Sequence, residues 1–174
     1  MVQPRRAIGS PASSRSMFTD VLVTALIGAG VVALWFLVVD AVRGHPFFTP
    51  AALGSAMLLG ARGEDQVQIS ALTVLGYTVL HAGAFLAVAW MAVRLFRARE
   101  EEPRAVLAAV LLFVTMEVFV IGVVAILAGW LLDALSPWGL ALATLVAAAG
   151  MGLYLLRRYP GAPGQLQAEL EERQ

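Results

Sequence analysis

The sequence predicts an all-α integral membrane protein: an antiparallel bundle of four transmembrane helices, with a short interfacial or re-entrant helix between the first and the second. Three observations carry that expectation. Val21–Val39, Ser70–Val93, Ala105–Leu132 and Trp138–Leu156 are apolar runs, each close to or above the roughly 20 residues that cross a bilayer. Hydrophobic residues form 60% of the chain and charged residues 14%. Soluble domains run at about 45–50% and about 25%, so this composition suits lipid as the main solvent. Finally, the arginines gather between the runs in alternate connections, as a polytopic chain requires.

Residues 1–16 contain Arg, Ser and Pro and are expected to form a flexible cytoplasmic tail. The apolar run behind them has 19 residues, beyond the 7–15 of a signal-peptide core, and no small-residue cleavage site follows it. It is therefore expected to be retained as the first span, about 17–42. Ser16 or Thr19 suits its N-cap, Asp20 suits its positive end, and Gly44-His45-Pro46 stops it. Thr49-Pro50 then reads as an N-cap followed by proline at the first helical position. The short helix it opens, about 50–60 on the outer side, is too short to span, and Phe47 and Phe48 would anchor it at the headgroups.

The turn 61–66 is polar and water-exposed. The second span, about 68–94, closes on Arg94, Arg97 and Arg99, and Glu100–Arg104 makes a charged turn into the third, about 104–135. Ser136-Pro137 breaks that helix. The fourth span, about 138–157, ends at Arg157-Arg158, so the membrane domain covers 17–158 and a polar cytoplasmic tail covers 159–174. Ten arginines fall in the tails and the central turn, and two (Arg43, Arg62) in the first outer loop. The positive-inside rule then places both termini in the cytoplasm. All twelve basic residues are arginine, and Ala, Gly, Val and Leu abound, as in a GC-rich bacterial genome. The expected location is the bacterial cytoplasmic (inner) membrane.

Several function classes are set aside by what is missing. Without cysteine there are no disulfides, thiolate metal sites or thiol nucleophiles. Twelve acidic residues balance twelve basic ones, which argues against nucleic acid as a partner. No P-loop, G-x-S-x-G, H-E-x-x-H or dinucleotide fingerprint occurs, so no enzyme activity is expected. The two histidines, His45 and His81, lie at different depths, so bis-histidine haem within one chain is not expected and no cofactor is predicted.

Two ionisable residues interrupt the spans near mid-run, His81 and Glu117. His81 lies 13 residues before Arg94 and Glu117 lies 13 residues after Arg104, so antiparallel neighbours would hold them at matching depth. Tyr77, one turn before His81, shares its helix face, and Ser70 and Thr73 extend a polar stripe outward. Tyr77, His81 and Glu117 are thus a candidate intramembrane polar group. It would serve either as glue between two helices or as a proton or ion relay.

At the outer helix ends, Asp40 and Asp133 sit where the helix dipole disfavours negative charge. Arg43 is the candidate partner for Asp40, and Arg62 or Arg43 for Asp133; two solvated carboxylates are the plainer expectation. Gly28, Ala29 and Gly30 on the first span, and Gly139, Ala143 and Ala147 on the fourth, permit close helix approach. The function expected from these features is a non-enzymatic accessory or structural subunit, packing with other membrane proteins or with itself. The alternative is a small proton, ion or small-solute transporter or channel using His81 and Glu117.

Overall fold

The structure, a computed structural model, describes residues 12–98, 105–135 and 137–159; the side chains of Glu117 and Asp133 lie outside the described set. Among the described residues five α-helices follow in order: α1 (Ala12–Val42), α2 (Phe48–Gly54), α3 (Ala71–Ala98), α4 (Ala105–Leu135) and α5 (Pro137–Arg158). No strand occurs among the described residues. Met17–Val42, Ala71–Arg97 and Trp138–Arg158 are each long and apolar enough to cross a membrane, and shorter apolar helices accompany them at Phe48–Leu59 and Phe113–Ile126. This is a small multi-pass helical membrane protein.

α1 is central, packing on α3 along one side and α5 along another, while α4 lies against α3 and α5. The core has two tiers. In one, Val32 and Phe36 of α1 meet Ala52 and Ala56 of the α2 segment, Leu131 of α4 and Leu140, Ala143 and Ala147 of α5. In the other, Val21 and Ala25 meet Ala89, Ala92, Val93 and Phe96 of α3 and Met151 and Leu155 of α5. The early residues of α1 thus sit against the late residues of α3 and α5, which makes both pairs antiparallel.

Local chemistry explains where the helices start and stop. Gly44 adopts φ 81°, its N–H bonds the Ala41 carbonyl, and the His45 N–H reaches back to the Asp40 carbonyl. That is a Schellman closure, and Gly44 is there because the left-handed conformation favours a residue without Cβ. At the start of α3, Ser70 Oγ accepts the Thr73 N–H (3.3 Å) while Thr73 Oγ1 accepts the Ser70 N–H (3.2 Å). This reciprocal pair is a capping box with threonine at the third position. Ser70 and Thr73 therefore serve as a helix cap, not as the outer end of a polar path along α3.

α2 departs from the sequence expectation. It begins at Phe48, one residue before Thr49, with Phe47 in the left-handed region at φ 69° as the capping position. Phe47 makes no side-chain cap. The capping is supplied from α1 instead: Asp40 Oδ2 accepts the Thr49 N–H and Asp40 Oδ1 accepts the Thr49 hydroxyl, both at 2.7 Å. After Gly54 the segment loosens into one π-helical turn, Ser55–Leu59, closed by Gly60 at φ 72°. Ser55 Oγ accepts the Gln68 N–H at 3.0 Å, and Thr73 Oγ1 donates to the Gln68 carbonyl at 2.6 Å. These bonds fasten the returning loop to the start of α3.

Close approach of backbones decides which glycines are required. A Cβ on Gly54 would fall onto the Thr73 carbonyl, and one on Gly28 would sit 2.5 Å from Met151 Sδ and the Phe85 ring. Gly30 meets nothing within 4 Å. Gly54→Ala is therefore expected to destabilise the protein by about 1–3 kcal/mol through forced backbone displacement. Gly30→Ala should be neutral, or stabilising by up to about 1 kcal/mol from helix propensity. Thermal unfolding of the two variants in detergent checks this, and equal midpoints would refute the close α2–α3 contact.

Candidate functional site

Polar groups inside a bilayer are where function or specific packing concentrates, because each must find a partner or a purpose. Among the described residues three such groups touch the central helix α1, one at each end and one near the middle.

At the first end Asp20 is almost fully buried, 2% exposed, although no residue near it in sequence explains its charge. It lies nine residues into α1, so it does not act at the positive helix terminus as the sequence suggested. Its carboxylate is instead met by the end of α5. Arg158 Nε donates to Oδ1 at 2.9 Å, the Tyr154 hydroxyl donates to Oδ1 at 3.1 Å, and the Tyr159 hydroxyl donates to Oδ2. Tyr159 in turn accepts a bond from Arg97 Nε (3.0 Å), whose guanidinium lies 5.8 Å from the tyrosine ring centre. Burial first, and donation to Asp20 second, pushes the Tyr159 hydroxyl above the ordinary tyrosine range. A charged carboxylate with three donors is fully satisfied, and the group joins α1, α3 and α5 at one face of the membrane.

At the other end Asp40 is 1% exposed and is occupied by Thr49, as described above. The expectation of a solvated carboxylate at this position is corrected. The chain turns back within nine residues, so the N-terminus of α2 reaches Asp40 and offers the positive dipole end that the C-terminus of α1 denies it. Arg43 and Arg62 are both exposed, and the Arg62 backbone N–H bonds Gln66 Oε1 at 3.0 Å. The Asp133 side chain lies outside the described residues.

Near the middle, His81 crosses from α3 to α1. Its Nε2 lies 3.3 Å from the Ala29 carbonyl oxygen, and its Nδ1 lies 3.4 Å from the Tyr77 hydroxyl. The neutral tautomer with hydrogen on Nε2 satisfies both contacts, the imidazole donating to Ala29 and accepting from Tyr77. Its ring meets Phe85 edge-on, with centroids 4.8 Å apart. The lack of a side chain at Gly28, where a Cβ would meet the Phe85 ring, allows this approach. Tyr77 and His81 also line a cavity of about 340 Å³ between α1, α2 and α3, together with Phe36, Phe47, Thr49 and Thr78. The structure thus brings Tyr77 and His81 together; the Glu117 side chain lies outside the described residues.

The sequence reading missed Asp20, Tyr154, Arg158 and Tyr159 as one group. The available signal was an acid and two basic residues assigned to the same membrane face by the arginine distribution. Among the described residues no three His, Asp or Glu side chains converge as a metal site. The indole N–H of Trp130 is the one buried side-chain donor among them without a partner. The chain matches no family model, no curated protein and no solved structure.

Removing the Asp20 carboxylate leaves two tyrosine hydroxyls and a guanidinium without their acceptor. Asp20→Ala is expected to cost roughly 1.5–3 kcal/mol, the scale of hydrogen bonds to a charged group. Asp20→Asn should retain part of that. Unfolding midpoints in detergent measure both, and a wild-type midpoint for Asp20→Ala would show that the group is peripheral to the fold.

Proposed function

We propose that the chain is a non-enzymatic integral subunit of a bacterial inner membrane, one that packs against other membrane proteins or against copies of itself. In this reading all four apolar runs span, both termini are cytoplasmic, and α2 lies in the outer interface or re-enters the bilayer. One observation carries it. All six buried polar side chains described (Asp20, Thr24, Asp40, Thr49, Ser55 and Thr73) are closed on partners within the chain. His81 is closed likewise on Tyr77 and a backbone carbonyl. A conduction path needs polar groups turned toward a shared lumen. Here Asp20 and Asp40 tie α1 to α5 and α2, Thr24, Ser55 and Thr73 close on their own helix or the loop at Gln68, and broad apolar faces remain on the outside, with Leu26, Val79, Val118 and Ile126 among the most exposed large side chains.

The test is the native mass of the tagged protein, extracted from its own membrane in mild detergent. Defined additional subunits, or a stable homo-oligomer, are expected. A lone monomer retained across several mild detergents would count against the subunit reading.

A second reading has a specific observation in its favour, the cavity that reaches His81. In it, protons, ions or a small solute pass His81 and Glu117. Glu117→Gln would then abolish flux in liposomes while the protein stays folded. The subunit reading instead expects no flux for the wild type. It also expects His81→Ala and Glu117→Ala to destabilise non-additively if the two side chains touch, and additive losses in a double-mutant cycle would show that they do not.

A further inference from the structure

A second and larger cavity, about 630 Å³, lies between α3, α4 and α5. Among the described residues its walls are almost wholly apolar and include Ala84, Val88 and Met91 of α3, Phe119 of α4, and Leu145 and Ala148 of α5. The volume falls within the roughly 300–1,000 Å³ of small-molecule sites. We propose that this groove holds an acyl chain of an anionic phospholipid from the leaflet at the arginine-bearing end, with the lipid phosphate at Arg94.

The groove's length favours a lipid chain over a partner helix. Its lining runs from Ala84 to Met91 on α3, from Phe113 to Phe119 on α4 and from Ala141 to Met151 on α5. Along α3 and α5, whose side chains are described on both sides of the groove, these stretches cover only about 10–15 Å. A transmembrane helix needs a seam of about 30 Å, whereas an acyl chain occupies one leaflet, half of that. In depth, the lining lies toward the arginine end of α3 and of α4, while on α5 it begins four residues after Pro137 and crosses mid-helix, so two of the three walls belong to the leaflet of the arginine end.

Charge supplies the other half of the argument. The stripe Ala84, Ala87, Met91 on α3 is continued one turn further by Arg94. Arg94 is exposed, and its guanidinium sits 4.8 Å from the Trp90 ring centre, a cation–π contact that holds it near the interface. Arg97, Arg157 and Arg158 end their helices at the same face, where Arg158 pairs with Asp20, and in sequence Arg99 and Arg104 flank Glu100, Glu101 and Glu102 in the turn beyond. An anionic headgroup is favoured there by charge, and the groove below fixes where its chain lies.

The experiment uses the full chain, stripped of lipid in detergent and returned to phosphatidylglycerol or to phosphatidylcholine with the same acyl chains. Retained lipid is counted by native mass spectrometry. Wild type is expected to hold one phosphatidylglycerol at least fivefold more tightly than phosphatidylcholine. Arg94→Gln should remove that preference while leaving phosphatidylcholine retention unchanged. Ala87→Phe, on an exposed position of the groove wall, should reduce retention of both lipids with helix content unaltered. Equal retention of the two lipids by wild type would overturn the proposal. So would an Arg94→Gln variant with its preference intact, or a dimer that Ala87→Phe dissolves, since the groove would then seat a second copy.

Discussion

Everything else in this structure hangs on two buried carboxylates of α1 that lie twenty residues apart, Asp20 and Asp40. At 1.5 Å per residue that separation is about 30 Å, the thickness of the hydrocarbon core. Each acid therefore sits at one boundary of the membrane, where a charge can be kept if it is given donors. Asp20 takes its donors from the end of α5, and Asp40 takes them from the beginning of α2. α1 is thereby fixed at both ends to different parts of the chain, and what lies between need only be apolar and close-packed.

Apolar packing alone discriminates poorly between helix registers in lipid, because lipid tails are as apolar as leucine. A helix rotated or shifted by one turn would bury nearly the same surface. Asp20 and Asp40 remove that freedom, since a shift of α1 by one turn would pull one carboxylate out of reach of its donors and push it into hydrocarbon. His81 adds a third constraint between them, tying α3 to the Ala29 carbonyl of α1. Gly28 and Gly54 set how near the backbones come once the register is right. The polar bonds choose the arrangement and the glycines and alanines allow it.

This division explains what could be read from the sequence. The helices, the short apolar segment after the first, and the Gly44 stop follow from run length and local chemistry, each visible within a few residues. The partner of Asp20 lies 138 residues away on α5, and an acid near a helix start has a ready local explanation in the dipole. Asp40 was within reach of inference, because Thr49 is nine residues on and its helix presents free N–H groups. His81 was recognised as an exceptional residue, and Tyr77 as its neighbour, but one partner of its ring is a backbone carbonyl. No inventory of side chains reveals such a partner; only the approach of α3 to Gly28-Ala29 does.

The same division bears on function. Bonds that fix register are most useful when they are never broken, and a group that must release and rebind a proton or an ion is a poor fastener. Asp20, closed by three donors and shielded from water, and Asp40, closed by both donors of one threonine, are suited to permanence. His81 differs. Its two contacts, at 3.3 and 3.4 Å, are long, and a cavity borders its ring. If any polar group in the described bundle changes partners while the protein works, the geometry singles out His81. The two acids would then serve as the fixed frame against which that change occurs.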